Sequence, residues 1–136
     1  MEKSISLEHH YNHPIKEVWD AITLEKNISA WFIKADFKAE EGYDYTFTHE
    51  DTTITGKVLQ VNPTFDLTYT WIVGGTGVET TVKWTLTESD EGTLLKLEHT
   101  GIENYPTEEL SIKMFEGFTS GWNSCLVNLD KYLINA

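Results

Sequence analysis

The sequence has 136 residues, 40% of them hydrophobic and 12% aromatic, and a formal net charge of −12 at pH 7. This length predicts a single domain over residues 1–136 with a substantial core. The negative charge argues against nucleic acid, anionic lipid and acidic substrates as partners. No signal peptide opens the chain and no apolar run approaches about 18 residues, so we expect no membrane span and a cytoplasmic location.

The first third of the chain predicts one strand and two short helices. Apolar and polar residues alternate over 4–11, which is typical of a half-buried strand. Pro14 suits the first position of a helix, because its missing N–H is not needed there. A second helix is predicted over 25–30, followed by Trp31 and Phe32, which we expect at the lip of a pocket.

The middle of the chain reads as strands joined by tight turns. Turns are predicted at Glu50–Asp51, at the glycine-rich segment 74–77 and at 89–92. The alternation slips near Leu59–Gln60, which indicates a β-bulge. Short connections between consecutive strands predict antiparallel pairing. The six predicted strands cover 35–39, centred on Phe37, then 43–48, 54–61, 65–73, 78–86 and 95–99.

The last segment, 106–133, predicts one long amphipathic helix. Pro106 and Thr107 end the preceding segment and can begin the helix. At 1.5 Å per residue the helix would be roughly 40 Å long, so a strongly twisted sheet must wrap around its apolar face. That face carries Leu110, Met114, Phe115, Phe118, Trp122, Cys125, Leu126, Leu129, Tyr132 and Leu133.

Two glycines, Gly117 and Gly121, lie one turn apart inside this helix. Each destabilises a helix by about 1 kcal/mol relative to alanine, so each should have a structural or functional reason. The favoured interpretation is close approach of a neighbouring backbone. The alternative is that the missing side chains leave room for a ligand beside the helix.

The order of elements and several local motifs resemble the helix-grip fold of the START/Bet v 1-like (SRPBCC) superfamily. Within it, the sequence resembles the branch related to the C-terminal domain of the activator of Hsp90 ATPase. The motifs that carry the resemblance are the segments 14–23 (PIKEVWDAIT), 30–32 (AWF), 56–58 (GKV), 62–63 (NP), 67–71 (LTYTW), 92–101 (GTLLKLEHTG) and 121–122 (GW), with Leu126, Leu129, Tyr132 and Leu133.

This resemblance implies an α+β fold in which a curved, seven-stranded antiparallel sheet surrounds the C-terminal helix, with two short helices after the first strand. It also implies an apolar cavity between sheet and helix. Relatives bind hydrophobic small molecules, and some act as cyclases or other lyases. The chaperone activators carry an additional N-terminal domain that contributes to engaging Hsp90, and this sequence begins at the family's first strand.

The leading hypothesis is a small binding module that takes an apolar, partly aromatic ligand between the sheet and the last helix. Its alternative is a solid aromatic core with no cavity. Tyr45 joins His99 and Tyr69 as a candidate for orienting the ligand. The predicted ligand-binding residues are Trp31, Phe47, Tyr69, Trp71, Trp84, His99, Met114, Phe118 and Trp122.

Two other functions remain open: a cyclase- or lyase-type enzyme that uses the same cavity, and an interaction module that contacts a chaperone. His99 is the one candidate for an acid or base, with a hydrogen-bonded structural histidine as its alternative. His9 and His10 point to opposite faces of their strand, so we predict no metal site there. Cys125 is predicted as a buried structural thiol. We expect no cofactor, and a monomer or homodimer.

Overall fold

The computed structural model describes residues 3–135 and shows an α+β architecture. Its strands are β1 (Ile5–Tyr11), β2 (Lys34–Asp36), β3 (Asp44–His49), β4 (Thr52–Asn62), β5 (Asp66–Val73), β6 (Glu79–Ser89) and β7 (Gly92–Thr100). Its helices are α1 (Ile15–Thr23), α2 (Glu25–Trp31), a short 3-10 helix (Ile102–Asn104) and α3 (Glu108–Asn135).

The seven strands form one open, curved antiparallel sheet in the order β1-β7-β6-β5-β4-β3-β2. Helices α1 and α2 connect β1 at one edge of the sheet to β2 at the other edge. The remaining strands follow as consecutive hairpins, as the tight turns in the sequence predict. The predicted bulge is confirmed, because the pairing of β4 with β5 shifts register between Val58 and Gln60. The predicted helix-grip fold is therefore confirmed.

Helix α3 is fixed to the rest of the fold by buried side-chain hydrogen bonds. The hydroxyl of Tyr11 on β1 donates to the carbonyl oxygen of Leu126 at 2.8 Å. At its start, the N–H of Leu110 donates to Oγ1 of Thr107 at 3.1 Å, which is a side-chain cap. The face that meets the sheet includes Trp122, Cys125, Leu126, Leu129 and Leu133, all buried as the helical pattern predicts.

One strand differs from its prediction. We predicted a strand centred on Phe37, but β2 ends at Asp36. The backbone N–H of Phe37 donates instead to Oε1 of Glu25 at 2.9 Å, so it has no strand partner to bond. The Phe37 ring nevertheless lies in the core with 2% of its surface exposed, and the alternating pattern detected this burial rather than a strand.

The interior beneath β3, β5 and β6 is filled by aromatic rings that contact one another. We call this set the aromatic cluster; it consists of Phe37, Tyr45, Phe47, Tyr69 and Trp84. Neighbouring ring centroids lie 4.7 Å apart for Tyr45 and Phe47 and 5.0 Å apart for Tyr45 and Tyr69. Rings at these separations and tilts are in the favourable range for aromatic pairs.

Over residues 3–135, the helices are too polar or too short to cross a lipid bilayer. The longest, α3, is amphipathic and keeps polar side chains such as Lys113, Glu116 and Asn123 in solvent along its outer side.

Candidate functional site

A cleft of about 510 Å³ opens between α3 and the strands β4 and β5, next to the end of α2. This volume falls within the roughly 300–1,000 Å³ typical of small-molecule sites. The cleft opens to solvent on one side. It is lined by Phe32, Ile33, His49, Thr52, Ile54, Trp71, Gly117, Phe118, Gly121, Trp122, Ser124, Cys125 and Asn128.

Both glycines of α3 lie in the wall of this cleft. A Cβ atom built on Gly117 or on Gly121 would meet no atom within 4 Å beyond its own helix surroundings. The favoured interpretation, close approach of a neighbouring backbone, is therefore wrong for both residues. Their missing side chains leave open space beside the helix, as the alternative interpretation required.

Three aromatic side chains of the wall, Phe118, Trp71 and Trp122, contact one another or Phe32 and form one part of its apolar surface. Trp122 of α3 lies 5.2 Å from Trp71 of β5 and 5.8 Å from Phe32, measured between ring centroids. Phe118, one turn earlier on α3, packs edge-on against Trp71 at 6.4 Å. Phe32 is where the sequence placed a pocket lip, since it follows α2 directly and is half buried.

The structure brings three of the nine predicted site residues, Trp71, Phe118 and Trp122, to the cleft wall. Trp31 lies outside the wall; it stacks on Phe32 at 5.3 Å, and its indole N–H donates to the carbonyl oxygen of Ala21. The remaining five predicted residues also lie outside the wall. They are Phe47, Tyr69 and Trp84 in the aromatic cluster, His99 behind Phe118, and the half-buried Met114.

The polar groups of the aromatic cluster are already bonded to one another or to backbone. Trp84 Nε1–H donates to the hydroxyl of Tyr69 at 2.9 Å, and Tyr45 donates its hydroxyl hydrogen to the carbonyl oxygen of Thr70. Burial raises the pKa of both Tyr45 and Tyr69 above the usual tyrosine value. Both phenols are therefore neutral and bonded within the core, rather than free to orient a ligand.

His99 is the centre of a buried chain of hydrogen bonds. Its Nδ1 lies 3.0 Å from Nε1 of Trp122, and its Nε2 lies 2.7 Å from Oγ1 of Thr80. An indole N–H can only donate, so Nδ1 accepts and the ring proton sits on Nε2. Oγ1 of Thr80 accepts the hydrogen bond from this N–H and donates its own hydroxyl hydrogen in a bond to the carbonyl oxygen of Trp71 at 3.1 Å.

This chain keeps His99 neutral and leaves neither ring nitrogen free. The side chain has no measurable exposure, and burial lowers its pKa to about 4. Its ring also stacks on Phe118 at 4.6 Å, which separates it from the cleft. The geometry corresponds to the hydrogen-bonded structural histidine, and a role as ligand anchor or as acid–base group would require breaking this chain.

Among residues 3–135, the indole nitrogen of Trp71 has no hydrogen-bond partner, although only 5% of the residue's surface is exposed. A buried donor left unpaired destabilises a protein by about 1–3 kcal/mol. The surrounding rings of Phe118 and Trp122 offer only weak acceptor faces. An unpaired buried donor calls for an explanation, and the place of Trp71 in the cleft wall makes pairing with a bound acceptor one such explanation.

Cys125 is buried as predicted, with 4% of its surface exposed, and the structure places it in the cleft wall. Burial raises the pKa of its thiol, so the group is protonated and a poor nucleophile.

Sequence reasoning did not find the remaining wall residues: Ile33, His49, Thr52, Ile54, Ser124 and Asn128. Of these, Ile54 lies on an alternating strand and Asn128 interrupts the apolar arc of α3. These signals give the face of an element but not the depth at which the cleft opens.

Among known families, one model matches residues 12–134, which is nearly the whole chain; it is described as activator of Hsp90 ATPase homolog 1-like protein. The chain belongs to this family. The resemblance to the START/Bet v 1-like superfamily is thereby confirmed. No curated protein matches the sequence significantly.

Solved structures agree with this family membership. A protein of Mesorhizobium loti, MLL2253, is 25% identical with a TM-score of 0.89, and the match covers 98% of each chain. BH1534 of Bacillus halodurans is 26% identical with a TM-score of 0.82, covering 98% of this chain and 99% of its own. CalU16 of Micromonospora echinospora is 30% identical with a TM-score of 0.78, covering 97% of this chain and 76% of its own.

Proposed function

We propose that this family member binds an apolar, ring-containing small molecule in the cleft between α3 and strands β4 and β5. The single observation that carries the proposal is the open space beside Gly117 and Gly121. Two glycines in the middle of a long helix reduce its stability by about 1 kcal/mol each. Close packing does not explain this loss of stability here. The missing side chains instead leave a volume bounded by aromatic rings.

Burial of apolar area would drive binding. Apolar surface removed from water contributes about 25 cal/mol per Å². Phe32, Trp71, Phe118 and Trp122 present ring faces and edges, which pair favourably with a flat ligand. The polar wall residues Thr52, Ser124 and Asn128 are exposed, so they lie where a ligand would meet solvent.

The test is binding of a neutral fluorescent probe, N-phenyl-1-naphthylamine, to the protein and to Gly121→Leu. Leucine fills space beside α3 and favours the helix, so the variant should fold at least as stably as the parent protein. We expect the probe to bind at least tenfold more weakly to Gly121→Leu, measured by fluorescence titration.

The matched control is Ser120→Leu, which adds the same side chain one position earlier, at an exposed residue outside the cleft wall. It should bind the probe as the parent protein does. Absence of probe binding to the parent protein would contradict the proposal, as would equal weakening by both substitutions.

A further inference from the structure

Over residues 3–135, Nε1 of Trp71 is a buried side-chain donor without a hydrogen-bond partner. Trp71 lies in the cleft wall. The other indole in the wall, Trp122, already donates its N–H to His99. Trp71 therefore supplies the one unused buried indole donor of the described wall.

The described wall also contains no Asp, Glu, Lys or Arg side chain. The sequence has 22 acidic and 10 basic residues, so a wall without any of them departs from the rest of the surface. An anionic ligand would find no lysine or arginine there and would be repelled by the net charge of −12. A cationic ligand would find no carboxylate, and burying an unpaired charge is strongly unfavourable.

Building on the proposed function, we propose that the ligand is an uncharged ring compound with a carbonyl-type oxygen that accepts a hydrogen bond from Trp71 Nε1–H. A ketone or quinone oxygen on a flat ring system is the chemical class that fits. Aromatic neighbours hold the ring, and the single donor sets its orientation. This pairing also removes the unsatisfied donor that the wall otherwise retains.

The indole nitrogen exposes less than 1 Å² in this conformation, so a neighbouring side chain must turn aside to admit the acceptor. Phe118 is the side chain placed to do so. It is half buried, packs edge-on against Trp71, and lies one turn from the open space at Gly121. In this proposal, rotation of the Phe118 ring toward that space would uncover the indole edge.

The experiment compares two probes of equal shape, fluorene and 9-fluorenone, which differ by one carbonyl oxygen. Their dissociation constants are measured by calorimetry for the parent protein and for a variant with 3-benzothienylalanine in place of Trp71. That amino acid keeps the size of the indole but has sulfur instead of N–H. The matched control places the same amino acid at Trp19, which lies in α1 outside the cleft wall.

We expect the preference for fluorenone over fluorene to fall about tenfold on replacement of Trp71, and to remain unchanged on replacement of Trp19. A third probe, 9-fluorenone-4-carboxylate, should bind the parent protein at least tenfold more weakly than fluorenone. An unchanged preference after replacement of Trp71 would contradict the hydrogen bond from its N–H to the ligand. Tight binding of the carboxylate would contradict the proposal that the ligand is uncharged.

The outcome also separates this inference from the proposed function. If neither fluorene nor fluorenone binds while N-phenyl-1-naphthylamine still binds in a manner that depends on Gly121, the ligand class is overturned and cleft binding stands. If that dye fails as well, both proposals fall.

Discussion

The aromatic cluster and the cleft are built from the same residue types but differ in how completely their space and hydrogen bonds are used. Beside the aromatic cluster, a Cβ atom on Gly56 would lie 2.1 Å from the carbonyl oxygen of Thr70 and 2.7 Å from the Tyr45 ring. In the cleft, a Cβ atom on Gly121 would meet nothing within 4 Å. The difference shows that glycine serves close packing in one region and open volume in the other.

The same contrast holds for the indole groups. Trp84 in the aromatic cluster donates to Tyr69, whereas the indole N–H of Trp71 in the cleft wall has no acceptor among residues 3–135. Trp122 contacts both, at 5.7 Å from Trp84 and 5.2 Å from Trp71, and so marks the boundary. One region is satisfied by the fold alone, and the other has space and a donor that the fold does not use.

The largest effect should come from deleting Trp84. We expect Trp84→Ala to reduce the free energy of unfolding by about 3–5 kcal/mol, because a filled region cannot collapse around the lost ring. Trp71→Ala should cost at least 1 kcal/mol less by the same reasoning, since its loss enlarges a cleft that already reaches solvent. Urea denaturation measures both values, and equal losses would break the comparison.

The next effect is a pH dependence set by His99. Burial lowers its pKa to about 4 in the folded protein, against 6.5 when unfolded, so the unfolded chain binds the extra proton between these values. Stability is therefore full above pH 6.5 and is lost as the pH falls toward 4, by about 3 kcal/mol.

The check is denaturation of the parent protein and of His99→Gln between pH 4 and 7, two limits set by the titration window. Subtracting the two stability profiles removes the contribution of carboxylates, which titrate in both proteins. A difference that does not change with pH would show that His99 does not keep its neutral, buried state.

A smaller effect should follow from Tyr69→Phe, which removes the hydroxyl that accepts the Trp84 N–H. The buried donor is left unpaired, so we expect a loss of about 1–3 kcal/mol in chemical denaturation. The control is Tyr43→Phe, a change at a more exposed phenol bonded to Asp36, which should stay within about 0.5 kcal/mol. Equal losses would remove the distinction between buried and exposed partners.

The smallest effect has the opposite sign. Gly121→Ala should raise the free energy of unfolding by about 1 kcal/mol, because alanine favours the helix and its methyl group meets no neighbour. Gly56→Ala should lower stability, since the new methyl group collides with backbone. Thermal denaturation decides both signs, and destabilisation by Gly121→Ala would show that the space beside α3 is not open.

The sequence predicted the faces of the elements well because alternation and helical period report which side is apolar. It did not separate Trp71 from Trp84, since both lie on inward faces of neighbouring strands. Register explains why: Leu67 lies opposite Trp84, and Trp71 follows Leu67 by four residues, or roughly 13 Å along β5. Position along a strand relative to the helix depends on pairing and packing that no local pattern contains.

Gly117 and Gly121 show the opposite case, where the sequence carried the signal and only the structure could interpret it. A glycine inside a helix indicates a structural or functional reason, but the sequence does not show whether that reason is a closely packed neighbour or open space beside the helix. His99 is similar: its inward position was predicted, but the acceptors and donors around it come from β6 and α3, far away in the chain.

The hydrogen-bonded chain through His99 also bears on the rigidity of the fold. It runs from α3 through β7 and β6 to the backbone of β5, so hydrogen bonds connect four elements on one side of the cleft. If a ligand binds there as proposed, it would meet a backbone that is already ordered, and little conformational entropy of the polypeptide would be lost on association. Selectivity would then reside in a few rotating rings, while the scaffold behind them stays fixed.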